Sequence, residues 1–142
     1  MTMEEQVKVY KDDLALFPDK DSKMEYILDY GKEATVLEAK FKSEENIIRG
    51  CSSLAWLHKE YKDGRLMLEA EGDSIIAKGM LVLLLEIFNN RTLDEIFSFD
   101  TKLLLEMGVM ELLSPVRQQG LEAFLNTIYT YAQKCKEEEN EV

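Results

Sequence analysis

One cysteine sits where a sulfur nucleophile would be placed. Cys51 lies in the run Ile47-Ile48-Arg49-Gly50-Cys51-Ser52-Ser53-Leu54-Ala55-Trp56. The reactive form of a thiol is the thiolate, and it is favoured by hydrogen-bond donors and nearby positive charge. Gly50, Ser52 and Ser53 offer backbone N–H and hydroxyl donors with little bulk, and Arg49 adds a cation. A cysteine without such a context is ordinarily a small buried hydrophobe. Here the neighbours pack poorly and donate well, so any covalent chemistry of the chain falls to the Cys51 sulfur.

Other chemistries find too few groups. A Cys–His pair would need His58, the single histidine. If the intervening residues are extended, it lies roughly 20 Å from Cys51 along the strand, so it is taken as an ordinary strand residue. Zinc or iron–sulfur ligation needs three or four soft ligands, and the chain has two cysteines. The second, Cys135, falls on a charged helical tail and is expected to be a surface bystander. No metal or cofactor site is expected.

The elements that position Cys51 follow from periodicity. Val7, Tyr10, Leu14 and Phe17 recur at helical spacing, and Phe17-Pro18-Asp19 ends that helix. A second helix carries Met24, Ile27 and Leu28 on one face, with Gly31 near its end. Residues 33–46 are expected to form a surface connector. The period then changes to two, through Leu54, Trp56 and His58 and again through Leu66, Leu68 and Ala70. Between these runs Asp63-Gly64 marks a hairpin turn. With Ile47-Ile48 as a further short strand, the expected fold class is α+β. It would be a small three-stranded antiparallel sheet packed against several helices, with Cys51 in the loop joining the first two strands. Leu54, Ala55, Leu57 and Trp56 follow that loop directly.

The remaining segments read as capped helices. Asp73 or Ser74 caps the apolar helix from Ile75 to Phe88, and Thr92-Leu93-Asp94-Glu95 has the form of a capping box. A short helix starts at Asp100 and stops at Met107-Gly108. Ser114-Pro115 opens the last helix, with proline at its first position. Arg117 then occupies the third helical position, where the macrodipole disfavours a cation. It is expected to answer either to a partner carboxylate or to an internal salt bridge. The tail from about residue 134 to 142 is expected to be frayed and solvated.

Composition bounds the partners. The 142 residues fit one domain, with 46% hydrophobic and 32% charged residues. A formal net charge of −11 disfavours nucleic acid and anionic membrane surfaces. The stretch from Ile75 to Phe88 is shorter than the about 20 residues a bilayer requires. With two cysteines and no basic-then-apolar N-terminal segment, the expected compartment is the reducing cytoplasm, and the expected state is a monomer.

Several blocks together resemble the SufE/CsdE family of cysteine desulfuration proteins. They are Gly50-Cys51-Ser52-Ser53-Leu54-Ala55-Trp56, Asp63-Gly64, and Gly72-Asp73-Ser74-Ile75-Ile76-Ala77-Lys78-Gly79. Arg91-Thr92 with Glu95-Ile96 follows, and then Leu113-Ser114-Pro115 with Arg117 and Gly120-Leu121. Ser52 stands where the family pattern has glutamine. The resemblance covers roughly residues 20 to 133.

The resemblance implies a sulfur carrier rather than an independent enzyme. Cys51 would accept persulfide sulfur from a SufS- or CsdA-like cysteine desulfurase and stimulate it. The pyridoxal phosphate (PLP) would reside on that partner. The persulfide would be sheltered, with Gly50, Ser52, Ser53, Leu54 and Trp56 as loop and shelter candidates, and Arg117 and Asp73 as partner-binding candidates. Sulfur would pass to a Suf-type iron–sulfur scaffold. The alternatives are a CsdE-like route to another pathway such as RNA modification, or a non-catalytic adaptor that regulates a partner.

Overall fold

The computed structural model describes residues 1–49 and 54–140. Among these, six helices surround a three-stranded antiparallel sheet, an α+β fold. Helices α1 (Met3–Ala15) and α2 (Lys20–Lys32) precede a connector that makes two short 3₁₀ turns. Strands β1 (Ala55–Lys62) and β2 (Arg65–Gly72) form a hairpin, followed by α3 (Ile75–Phe88) and β3 (Arg91–Thr92). Helices α4 (Leu93–Ser98), α5 (Lys102–Glu106) and α6 (Pro115–Asn140) complete the chain.

The hairpin forms where the Asp-Gly pair places it. Asp63 has φ 54° and Gly64 φ 75°, and two consecutive residues at positive φ match the twist of the flanking strands. Lys62 pairs with Arg65, and the ladder continues to Ala55 opposite Gly72. The third strand is not Ile47–Ile48. That segment contributes only an isolated bridge between Ile47 and Trp56. Arg91–Thr92 takes the place beside β2 instead, paired with Leu66 and Arg65. It is two residues long and too short to alternate, so periodicity could not reveal it. Its position is fixed by Asn89, whose side-chain oxygen accepts the Leu68 N–H at 2.8 Å, and by Asn90, whose N–H donates to the Leu66 carbonyl at 2.8 Å.

The core fills between the sheet and the helices. Ala55 and Leu57 from β1, and Leu66 and Leu68 from β2, meet Leu83, Leu84, Ile87 and Phe88 of α3 and Phe124 and Ile128 of α6. Helices α2 and α3 approach closely through glycines: a β-carbon on Gly79 would lie 2.1 Å from the Ile27 carbonyl oxygen.

Two further expectations meet a different outcome at the C-terminus. Helix α6 runs on through Asn140, and the Tyr61 hydroxyl donates to Glu139 at 2.9 Å, where a frayed tail was expected from about residue 134. Cys135 is buried, 6% exposed, rather than on the surface. Continuous helix turns its side chain in among the core residues, on the same side as Ala132 and Ile128.

Candidate functional site

The cysteine segment is bounded by two tethered ends. Gly50, Cys51, Ser52 and Ser53 lie outside the described residues, so the expectations attached to them concern chemistry and not observed geometry. On the near side, the Ile48 N–H donates to the Ala55 carbonyl at 2.9 Å. On the far side, Leu54 and Asp73 form a reciprocal pair. The Asp73 N–H donates to the Leu54 carbonyl at 3.0 Å, and the Asp73 carboxylate accepts the Leu54 N–H at 3.3 Å. Ile48 and Leu54 are thereby held to the end of the hairpin, beside the start of α3.

Asp73 therefore does not cap α3. Ser74 is the N-cap, with its hydroxyl oxygen accepting the Ala77 N–H at 3.3 Å. One residue earlier, the Asp73 side chain is free to turn towards Leu54, and it is exposed there. Arg117 meets the same serine: its guanidinium donates to the Ser74 hydroxyl at 3.2 Å, while its backbone N–H donates to Ser114. Its internal partner is thus a hydroxyl and not a carboxylate. One hydrogen bond uses one of five guanidinium donors, which leaves Arg117 capacity to meet another group.

Between these tethers and α6 lies a small apolar cavity of about 60 Å³. Ile48, Ala55, Ile76, Met80, Leu121 and Phe124 line it, and Arg117 is the single charged lining residue among those described. Space of about 10–15 Å³ admits a water-sized group, so a thiol-sized group fits. The cavity exists because small residues face large ones: Ala55, Ala77 and Gly120 leave room beside Phe124 and Met80. Small residues at Ala55, Ala77 and Gly120 among large apolar ones are the sequence signal of that space.

Of the shelter candidates, Leu54 and Trp56 are described, and neither lines this cavity. Trp56 alternates with Ala55 and Leu57, so it projects from the opposite face of the sheet and does not line the cavity. The connector covers that face. The Lys42 ammonium lies 5.6 Å from the Trp56 ring centroid, and Phe41 stacks on His58. Lys42 also pairs with Glu71 at 2.6 Å, and the Glu71 carboxylate accepts the Leu37 N–H at 2.9 Å. Lys42 and this N–H hold the Glu71 carboxyl below the usual carboxylate range. Leu54 is 43% exposed.

The reciprocal Leu54–Asp73 pair, Arg117 on the neighbouring Ser74 and the apolar cavity lie together at one end of the hairpin. A family model described as "SufE: Fe-S metabolism associated domain" matches residues 8–132. The chain belongs to the SufE family. The description of that family associates it with iron–sulfur metabolism. The chain is also 34% identical over 101 residues to "SufE-like protein 1, chloroplastic/mitochondrial" of Arabidopsis thaliana. The match takes in 70% of this chain and 27% of that protein's length, so the chain spans about a quarter of it. A solution structure of a hypothetical protein from Thermus thermophilus superposes with a TM-score of 0.73. It covers 94% of this chain and 97% of its own at 17% identity, which shows the shared SufE-like fold. No helix among the described residues is long and apolar enough to cross a membrane.

Proposed function

We propose that this SufE-family protein is a sulfur carrier that accepts persulfide sulfur on Cys51 from a PLP-dependent cysteine desulfurase. The Cys51 thiolate attacks the outer sulfur of the desulfurase persulfide. A new S–S bond forms to Cys51, the S–S bond on the desulfurase breaks, and its cysteine leaves as a thiolate. The observation that carries this reading is the apolar cavity beside Ile48 and Ala55, the residues that bracket the cysteine segment. A persulfide withdrawn into such a space is partly shielded from reductants and oxidants, whereas an exposed one is readily lost.

Delivery would be to a Suf-type iron–sulfur scaffold, the outlet most consistent with the family description. The carrier works as a monomer in the cytoplasm and holds no cofactor of its own. PLP stays on the desulfurase. Arg117 supports partner docking from the rim of the cavity, where its remaining donors point to a carboxylate on the partner.

The test is mass spectrometry after incubation with a cysteine desulfurase and L-cysteine. Cys51 gains one sulfur atom, Cys135 gains none, and Cys51→Ser abolishes the label. Label on Cys135, or unchanged labelling in Cys51→Ser, would overturn the assignment. Alkylated Cys51 that still stimulates the desulfurase would convert the protein into a regulatory adaptor.

A further inference from the structure

We infer that the groove between β1 and α6 is a docking site for an acidic, extended segment of a partner protein, with Lys59 at its floor. This inference is independent of what Cys51 does. The groove measures about 640 Å³ and is open along one side. Its α6 wall runs from Gln119 to Lys134, a length of about 22 Å at 1.5 Å per residue. An extended chain of about six or seven residues spans that distance, which favours a polypeptide over a small free acid.

Lys59 gives the groove its chemistry. Strand alternation puts it on the same face of β1 as Ala55 and Leu57, which are core residues. It is half-buried, and among the described residues its ammonium reaches only the Leu57 carbonyl at 3.4 Å and the Tyr131 ring, 5.8 Å to the centroid. No carboxylate pairs with it among the described residues. In a chain with 28 acidic side chains against 17 basic ones, a half-buried cation without a counter-charge is out of keeping. Burial pushes the Lys59 ammonium below its usual value, so an arriving carboxylate would restore stabilisation to it.

The remaining charges set the register. Lys134 lies at one end of the groove and Arg49 at the other, where Arg49 also pairs with Glu44 at 3.5 Å. Glu45 and Glu122 face the same groove and would disfavour acidic side chains set beside them. The fitting segment therefore carries spaced carboxylates, one over Lys59 and one near Lys134, with its backbone against the Asn126 and Thr130 side chains. The groove ends at Arg49, two residues before Cys51, so a segment bound there tethers its protein next to the cysteine.

The test is titration of the ¹⁵N-labelled protein with a fluorescein-labelled heptapeptide of alternating glutamate and valine, followed by chemical shifts and anisotropy. Shifts are expected at Lys59, Asn126, Thr130 and Lys134. Affinity should fall at least about tenfold in Lys59→Glu, should be kept in Lys59→Arg, and should weaken with added salt. Should Lys59→Glu fail to fold, Lys134→Gln, on an exposed site, should still weaken binding by a few-fold. Absence of binding, shifts confined to another face, or unchanged affinity in both Lys59→Gln and Lys134→Gln would overturn the proposal. Equal binding of free glutarate at the same carboxylate concentration would also overturn it, by making the groove a small-acid site. Persulfide loading of Cys51 is scored separately: its loss with peptide binding intact would count against the proposed function and leave the docking groove standing.

Discussion

Replacing Gly79 with alanine tests whether the α2–α3 contact is set by backbone proximity. In an ordinary helix interior this change stabilises by about 0.5–1 kcal/mol, because glycine loses more conformational freedom than alanine. Here the added β-carbon would sit 2.1 Å from the Ile27 carbonyl oxygen and 3.0 Å from the Ile27 carbonyl carbon and Cγ2. Ordinary contact begins near 3.4 Å, so one helix must withdraw by about 1.3 Å. The atom in the way is main chain, which cannot rotate aside. Overpacking of this kind costs about 1–3 kcal/mol and occasionally more. Set against the helix-propensity gain, the net expectation is a loss of about 1–2 kcal/mol, or a fall in Tm of about 3–8 °C for a chain of this size. Gly31, whose added β-carbon would lie 2.4 Å from the Ile75 carbonyl oxygen, should behave alike. The assay is thermal denaturation followed by circular dichroism. A Tm unchanged or raised in Gly79→Ala would show that helix propensity outweighs the clash and would refute the reasoning.

Three further outcomes are expected. Arg117→Ala should cost about 0.5–1.5 kcal/mol through the lost hydrogen bond to Ser74, and a double-mutant cycle with Ser74→Ala should be non-additive by about 0.5 kcal/mol or more in chemical denaturation. Glu71→Gln should be less stable than the parent at neutral pH, with the gap closing on acidification. A carboxyl held low in the fold contributes stability above its unfolded value, near 4.5, and loses it as pH falls through the folded value; pH-dependent melting curves check this. Native Cys135 should resist an aromatic disulfide reagent until the protein unfolds, since it is 6% exposed and burial pushes its thiol up; rapid release of the coloured thiol from Cys51→Ser protein would contradict its burial.

Local signals in the sequence carried most of the fold. The Asp63-Gly64 turn, the Thr92/Glu95 capping box and the Ser114-Pro115 start each concern neighbouring residues, and each is found where side-chain chemistry puts it. What escaped the sequence was long-range. Strand β3 exists because Asn89 and Asn90 bond back to β2, which no two-residue pattern encodes. Periodicity assigned Trp56 and Leu57 to alternate faces but could not say which face the connector would cover. Trp56 lies on the face that the connector covers, and the apolar cavity lies on the other face, beside Ala55. Cys135 was misplaced because the charged residues after it suggested fraying, although its own helical phase matches Ile128 and Ala132. Arg117 was singled out by its unfavourable place in the helix dipole, and its guanidinium meets the Ser74 hydroxyl, while Cys51 was singled out by its neighbours and lies outside the described residues.

The apolar cavity has a consequence for biosynthesis. Its walls come from distant parts of the chain, with Ile48 and Ala55 on one side and Leu121 and Phe124 on the other. A ribosome adding about 5–20 residues per second needs about 4–15 s to pass from Ile48 to Phe124. During that interval the hairpin and α3 can assemble, but the wall that α6 contributes has not yet been made. A nascent chain thus carries the Ile48 and Ala55 side of the cavity before its opposite wall exists. Completion of α6 is therefore the step that completes the walls of the apolar cavity.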